Sequence, residues 1–285
     1  MNPFGVLLID KPVGLSSFDI IRKIRKITDI RKVGHTGTLD PFATGLLPVC
    51  IGKATRLTNR MMAKEKEYLV TMKLGVRTAT GDTESEEIEE LQIPEISDND
   101  LIELKSKVEK IESQIPHKFS AIRIDGKRAY QLARKNEDFT IQARPIQIND
   151  FSIESFDLPI MKYRVIVSKG TYIRTLSETI AEMLGTIGTT LELRRTKIGN
   201  LKIENAVKIK DLNSENWQQN MISVPDIFPD IESIIIENIE HYKNGRFIDL
   251  EHENCDDVMV LSPEQDFLGF AKIHANMLQP KTVFI

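Results

Sequence analysis

The sequence contains little cysteine. Its 285 residues include only two cysteines, Cys50 and Cys255, and neither belongs to a CxxC pair or lies beside a run of histidines. This scarcity excludes the disulfide framework typical of small secreted proteins, and it gives no indication of a structural zinc site. We expect both thiols to be buried or inert.

Long apolar segments are also missing. No run approaches the roughly 18 apolar residues that a membrane-spanning helix needs. Residues 1–17 lack the basic stretch, apolar core and small-residue cleavage site of a secretory signal. We therefore expect a cytoplasmic protein that has no membrane partner.

Motifs for cofactor binding are absent as well. The sequence has no GxxxxGK[ST] loop, no GxGxxG after a predicted strand, and no HExxH or clustered metal ligands. We expect no cofactor and no metal. Hydrophobic residues make up 41% and charged residues 28%, which is ordinary for a globular protein of one large or two smaller domains.

The net charge of −4 is unevenly distributed. Residues 1–60 contain ten Lys or Arg and four Asp or Glu, and residues 116–145 contain seven and three. Residues 82–114 and 226–266 are instead strongly acidic, each with twelve Asp or Glu. Phosphate binding depends on local rather than net charge, so this pattern permits an RNA partner without demanding one.

Hydrophobic patterns predict alternating strands and helices. Strands are predicted over residues 5–9, 68–74 and 163–167. Helices are predicted from a capping box at Ser16, over residues 98–111, and over residues 175–184. The Gly- and Pro-punctuated residues 33–57 are interpreted as a loop packed against the core, where functional residues concentrate.

The composition also predicts the domain organisation. Near residues 224–226 it changes to acidic segments with short β-like runs at 233–236, 258–261, 268–273 and 283–285. We place a domain boundary near Pro229, giving a first domain of residues 1–229 and a small β-rich module of residues 230–285. Within the first domain, the basic residues 116–145 are predicted to form an exposed insertion.

The segment around Asp40 is the most informative in the chain. Glycines at positions 34, 37 and 45 permit tight turns, and Pro41 stiffens the backbone after Asp40. Together they would hold one carboxylate in a fixed position, as a catalyst requires. Asp-Pro is also a common turn opener, so these residues alone leave a structural role open.

These residues lie within a long motif. The run GHTGTLDPFATGLLPVCIGKATRL at 34–57 resembles the catalytic motif of the TruB pseudouridine synthase family, whose pattern is close to GHTGxLDPxATGxLPxxxGxATK. The resemblance covers nearly all of residues 4–200 in the family's order. It continues in the segments GVLLIDKPVGLSS, KEYLV, PHKFSAIRIDGKRAYQLAR, SKGTYIRTL and LELRRTKIG.

The resemblance implies catalytic roles for three residues. It makes Asp40 the nucleophile that attacks the target nucleotide, at the ribose C1′ or at the uracil C6. Tyr68 matches the tyrosine that packs on the flipped base near C5. Arg174 matches the arginine that pairs with the aspartate and keeps it ionised. Taken singly, Tyr68 could be core packing and Arg174 an ordinary strand residue; the shared spacing of the motifs favours the catalytic roles.

The resemblance also implies substrate contacts. Tyr172 and Leu193 match residues that line the uracil pocket, and His35 matches a histidine that enters the RNA loop where the base departs. Lys11 aligns with the lysine of the family's N-terminal Lys-Pro motif. The insertion resembles a mobile thumb whose basic side chains would contact RNA phosphates. These are Lys118, Arg123, Lys127, Arg128 and Arg134.

The implied fold is α/β, of the α+β kind, with a mixed, mainly antiparallel central sheet, the thumb-like insertion and a reduced PUA-like module at the C-terminus. The implied activity converts uridine 55 in the T loop of tRNA to pseudouridine without a cofactor, and the implied enzyme is a monomer that needs no protein partner. Three alternatives remain. They are a guide-RNA-dependent synthase acting on ribosomal RNA, a noncatalytic tRNA-binding or RNA-folding factor, and an N-glycosidase.

Overall fold

The computed structural model describes residues 4–120, 122–124, 126–133, 135 and 137–285. The two largest sheets of the described structure are a ten-stranded central sheet and a five-stranded sheet near the C-terminus. Among the described residues, no helix has the length and apolar character needed to cross a membrane.

The central sheet is mixed. With strands numbered in chain order, it is formed by β1 (Gly5–Lys11), β2 (Val33–His35), β3 (Thr44–Ile51), β4 (Lys66–Leu74), β11 (Ile148–Asp157), β12 (Ile160–Val167), β13 (Gly188–Ile198), β14 (Leu201–Lys202), β15 (Val207–Lys208) and β16 (Met221–Ile222). Its main path runs β11-β12-β4-β13-β3-β1-β15, while β2, β14 and β16 pair at its sides. Among these described strands only the β1–β15 and β3–β13 pairs are parallel, so the prediction of a mainly antiparallel sheet is confirmed.

Seven α-helices and three 3-10 helices lie among the described residues. The α-helices are α1 (Ser17–Thr28), α2 (Thr58–Ala63), α3 (Asp98–Val108), α4 (Ala129–Ala133), α5 (Ile173–Met183), α6 (Val224–Ile227) and α7 (Ile239–Lys243). The 3-10 helices are Gly52–Leu57, Ile203–Asn205 and Ile209–Asp211.

The first helix forms where local signals predict it. The Ser16 hydroxyl accepts a hydrogen bond from the Asp19 amide at 3.1 Å, and the Asp19 carboxylate accepts one from the Ser16 amide at 2.9 Å. This capping box satisfies two amides that would otherwise lack partners. Ile20, Ile21 and Ile24 then pack on the central sheet as buried residues. The predicted helices at 98–111 and 175–184 are likewise present as α3 and α5.

The interpretation of residues 33–57 as a loop is wrong in part. Only residues 36–43 are irregular, because β2 and β3 flank them and a 3-10 helix follows. Pairing stabilises these strands: β3 pairs with β1 from Gly5 opposite Ile51 to Lys11 opposite Gly45. The apolar residues of β3 are therefore core residues of the sheet.

Three two-stranded sheets lie outside the central sheet. They are formed by β5 (Val76–Thr78) with β6 (Glu87–Glu90), β7 (Ser113–Gln114) with β10 (Arg144–Pro145), and β8 (Arg123–Ile124) with β9 (Lys127–Arg128). The β7–β10 pair closes the base of the predicted insertion, and the β8–β9 hairpin followed by α4 lies within it.

The second sheet occupies the acidic end of the chain. Its order is β17-β19-β20-β21-β18, formed by β17 (Ser233–Ile235), β18 (Ile248–Asp249), β19 (Cys255–Leu261), β20 (Phe267–His274) and β21 (Met277–Val283). The strands predicted from 233, 258 and 268 overlap three of these, whereas the strand predicted over 283–285 is misplaced because β21 ends at Val283. We call this unit the C-terminal sheet; the boundary near Pro229 is proposed in the connection between β16 and β17.

Candidate active site

Residues 36–43 form a loop that is fixed on both sides of Asp40. The Ser17 hydroxyl donates to the Leu39 carbonyl at 3.0 Å and accepts from the Leu39 amide at 2.8 Å. The Pro41 carbonyl accepts from the Gly14 amide at 2.8 Å. Because Leu39 and Pro41 are both hydrogen-bonded, the backbone of Asp40 between them has little freedom. Such a fixed backbone suits a side chain that acts from one position.

A buried arginine holds the ends of the same loop. Arg195 on β13 is only 1% exposed. Its Nε donates to the Leu46 carbonyl at 2.8 Å and its Nη2 to the Gly37 carbonyl at 3.1 Å. Gly45 has a φ of +101°, and a Cβ there would lie 2.3 Å from the Arg195 carbonyl oxygen. The close approach of the loop to β13 therefore requires glycine at position 45.

The carboxylate of Asp40 is paired with Arg174. Nε of Arg174, in the first turn of α5, lies 3.1 Å from Oδ2 of Asp40. Nη1 of the same guanidinium lies 3.1 Å from Oδ2 of Asp82, which is fully buried. The Arg174 guanidinium also contacts two backbone carbonyls. Its Nη1 donates to the Thr80 carbonyl at 2.7 Å, and its Nη2 donates to the Phe119 carbonyl at 3.2 Å. The buried cation thus has two anionic partners and is held in one orientation.

The electrostatics of Asp40 follow from these neighbours. Burial raises the pKa of the Asp40 carboxyl above its ordinary value, because removal from water penalises the charged form. The guanidinium of Arg174 opposes this rise, and the carboxylate of Asp82 adds to it. Arg174 is therefore the strongest of the groups that favour an ionised Asp40, and His117 and Lys11 act in the same direction.

Asp40 opens onto a cavity of about 700 Å³. Five of the residues predicted for the site line it together, namely Asp40, Tyr68, Tyr172, Arg174 and Leu193. Pockets of about 300–1,000 Å³ are usual for small ligands, so one nucleotide fits this volume. In the part of the chain that the structure describes, no group of three His, Cys, Asp or Glu side chains could hold a metal ion.

Tyr172 is fixed in the cavity wall by its backbone. The side-chain amide of Gln114 donates to the Tyr172 carbonyl at 3.0 Å, and its oxygen accepts from the Tyr172 amide at 2.8 Å. Burial raises the pKa of the Tyr172 phenol, so the ring presents a neutral hydroxyl. Tyr68 and Leu193 extend the wall from the adjacent strands β4 and β13.

Two predicted substrate contacts lie outside the cavity lining. Lys11 is fully buried, and its ammonium donates to the carbonyls of Pro12, Leu15 and Pro41 at 3.0, 2.6 and 3.2 Å. It therefore supports the loop behind Asp40 rather than facing a ligand, and burial lowers its pKa to about 8. His35 is half-buried at the end of β2 and accepts from the Gly37 amide at 3.3 Å, while burial lowers its pKa.

Three of the predicted phosphate contacts are not among the residues that line the cavity. Lys118, Lys127 and Arg128 have exposed side chains on the insertion. The backbone of Arg123 belongs to β8, but its side chain is outside the described part of the structure, and Arg134 lies outside the described residues. The insertion still reaches the site, because Ser120 lines the cavity and the Phe119 carbonyl accepts from Arg174.

Several side chains of the site are missing from the sequence-based prediction. Asp82 has only a weak signal, since it stands in an acidic segment that is typical of a solvated loop. Arg195 lies inside the matched segment LELRRTKIG, but nothing in the sequence indicates which of its two arginines is buried. Lys66, Arg144 and Lys169 also line the cavity, and the exposed Arg144 and Lys169 give its rim positive charge.

Comparison with known proteins agrees with this geometry. A family model described as TruB family pseudouridylate synthase, N-terminal domain, matches residues 25–173. A tRNA pseudouridine synthase B of Clostridium tetani is 37% identical over 94% of this chain and 95% of its own length. A second protein of that name, from Francisella philomiragia, is 36% identical over 100% of this chain and 96% of its own.

Solved structures share the fold. One chain in the structure of an H/ACA RNP bound to a substrate RNA containing 2′-deoxyuridine superposes with a TM-score of 0.72 at 21% identity, covering 99% of this chain and 85% of that one. A chain from a Cbf5-Nop10-Gar1 complex superposes with a TM-score of 0.73 at 22% identity, again covering 99% of this chain and 85% of that one. The similarity extends beyond the region of the family model, along nearly the whole chain. By its sequence matches, this protein belongs to the TruB family of pseudouridine synthases.

Proposed function

We propose that this protein isomerises uridine to pseudouridine in tRNA, at position 55 of the T loop, with Asp40 as nucleophile. The observation that supports this most strongly is the Asp40 carboxylate, paired with Arg174 at 3.1 Å inside a cavity that has aromatic and aliphatic walls. Its curated relatives in Clostridium tetani and Francisella philomiragia are named tRNA pseudouridine synthase B.

The chemistry requires one bond to break and one to form. The N-glycosidic bond between ribose C1′ and uracil N1 is cleaved, the base turns, and C1′ bonds to C5; C5 loses a proton and N1 gains one. Attack by Asp40 at C1′ would bond the enzyme to the ribose while the cavity keeps the detached uracil, whereas attack at C6 would bond it to the base. Either adduct divides a difficult exchange into easier steps, and its bond to Asp40 breaks again as the product forms. Atoms balance without an oxidant or a group donor, and so the proposed reaction needs no cofactor.

The cavity suits an extruded base. A uracil inside a folded RNA loop is shielded by its neighbours, so an enzyme that acts on it must turn it out of the stack. Tyr68 and Leu193 offer flat and aliphatic surfaces for such a base, and both are more than 90% buried. Tyr68 would lie near C5, where the proton leaves.

Positive charge around the cavity suits the RNA backbone. Lys169 and Arg144 are exposed at its rim, and Lys118, Lys127 and Arg128 are exposed on the insertion. Such groups position the substrate through phosphates, without reading bases. The His35 side chain, beside the catalytic loop, would enter the space that the base leaves.

The proposed function is tested with the purified chain and a bare T-stem-loop RNA that carries tritium at C5 of the target uridine. The expected result is tritium release together with one pseudouridine, located by chemical mapping. The matched control replaces the target uridine by cytidine and leaves the stem unchanged.

Each alternative predicts a different outcome of this experiment. A guide-dependent synthase would leave the bare RNA unmodified, and a noncatalytic factor would bind it without tritium release. An N-glycosidase would liberate free uracil, which mass spectrometry detects. We further propose that the chain acts as a cytoplasmic monomer without a protein partner. Size-exclusion chromatography with light scattering tests whether the purified protein is a monomer.

A further inference from the structure

The short helix α2 forms one wall of the cavity. Asn59, Met62 and Ala63 all line it, and their spacing of three and four residues places them on one helix face. Met62 is 43% exposed, an apolar side chain at the mouth of the cavity. The position of α2 therefore contributes to the width of the cavity.

This helix is weak by itself. It has six residues and no side-chain hydrogen bond at its N-cap, whereas isolated helices shorter than about 12–15 residues are marginal in water. Lys66 helps from the C-terminal end, because its ammonium donates to the Met62 carbonyl at 2.6 Å. The remaining support must come from tertiary contacts on the face turned away from the cavity.

Arg60 makes the most specific of those contacts. Its Nη1 and Nη2 donate to the two carboxylate oxygens of Asp257 on β19, at 2.5 and 2.7 Å. The guanidinium carbon also lies 3.9 Å from the centre of the Phe270 ring on β20. A two-pronged ion pair combined with stacking fixes both the direction and the plane of the arginine.

Buried apolar side chains pack beside the contacts that Arg60 makes with Asp257 and Phe270. Met61, Leu57 and Ala54 share one buried cluster with Met259, Phe270 and Phe284 of the C-terminal segment. Arg56, one turn earlier, donates to the Val283 carbonyl at 2.5 Å. The wall of the cavity and the C-terminal sheet are thus packed as one unit.

We propose that Arg60 is a positioning residue: by clamping α2 to the C-terminal sheet, it fixes the cavity wall formed by Asn59, Met62 and Ala63. This rests on the proposed function and gives the acidic C-terminal sheet a role in catalysis through contact with α2. The sheet then contributes to turnover of RNA that is already bound.

The test compares Arg60→Ala with Lys281→Ala in the full-length chain. Lys281 is the matched control, because its ammonium lies 3.6 Å from the same Asp257 carboxylate but touches neither α2 nor the cavity lining. Hydrogen exchange of residues 58–66 and single-turnover conversion of saturating T-stem-loop RNA are measured well below the unfolding temperature. A third variant, Arg60→Lys, keeps the charge and loses the two-pronged geometry.

The expected result has two parts. Arg60→Ala speeds exchange in α2 and slows conversion of bound RNA about tenfold, as a misplaced site wall would, while RNA affinity changes less than about twofold. For Arg60→Lys, both the exchange rate in α2 and the conversion rate should lie between those of Arg60→Ala and the parent. For Lys281→Ala, both rates should match the parent's. Unchanged exchange in α2 overturns the inference, and so does faster exchange with the parent's turnover rate. A parent protein that forms no pseudouridine would contradict the proposed function instead, and the exchange comparison would still decide whether Arg60 holds α2.

Discussion

Nε of Arg174 lies 3.1 Å from Oδ2 of Asp40, and the other side of the same guanidinium meets a carboxylate that is wholly buried. The arginine is therefore shared between a carboxylate that reaches the cavity and one that does not. If Asp40 engages a substrate as proposed, Asp82 remains as a second carboxylate partner that keeps Arg174 oriented.

We predict that Asp82→Asn slows conversion of bound RNA by about 10- to 100-fold and leaves RNA affinity nearly unchanged. Breaking a buried ion pair also costs on the order of 3 kcal/mol in the free energy of unfolding. Single-turnover kinetics and urea denaturation measure the two effects. Glu89→Gln is the control, since it breaks the exposed Arg77 pair and should cost less than about 1 kcal/mol. A fully active Asp82→Asn protein would contradict this assignment.

The pH dependence of the reaction should report Asp40. Asp40, the proposed nucleophile, would act as the carboxylate, and burial together with the Asp82 charge raises its pKa above the ordinary value. The single-turnover rate should therefore rise with pH along an acid limb whose midpoint lies above the ordinary pKa of an aspartate. A midpoint at or below the ordinary pKa of an aspartate would refute this electrostatic account.

The insertion should contribute affinity rather than rate. Lys118→Ala and Lys127→Ala each remove one exposed cation, so each should weaken RNA binding and make the salt dependence of log K shallower by about one unit. Filter binding at several salt concentrations measures this slope. Lys105→Ala, in the acidic segment on α3, serves as the control and should leave the slope unchanged. If the two insertion variants instead slowed conversion at saturating RNA, their role would be catalytic.

Local signals in the sequence predicted the elements that depend on local structure. The capping box at Ser16 and the buried Ile20 and Ile24 are contained in a dozen residues, and α1 forms there. The strand β3 was not predicted, because its stability comes from pairing with β1 and β13, far away in the chain. Residues that look irregular in isolation are core residues once those partners are present.

In the candidate site, too, some residues were predicted from the sequence and others depend on contacts between distant parts of the chain. Motif resemblance identified Asp40, Tyr68 and Arg174, and the fold brings all three to one cavity. Asp82 could not be predicted, because burial of an aspartate in an acidic segment depends on Arg174, 92 positions later in the chain. Lys11 was identified by its motif, but only its three carbonyl partners reveal that it faces the loop and not the cavity.

The most direct measurement compares the parent protein with Asp40→Asn on the same T-stem-loop RNA. Asparagine keeps the size and shape of the side chain and removes its charge. The variant should therefore fold like the parent, and its RNA affinity should match the parent's within about threefold. Tritium release and pseudouridine formation should fall to the level of the RNA incubated without protein, because the proposed covalent step needs the carboxylate of Asp40. Conversion by Asp40→Asn at the parent's rate would contradict the account.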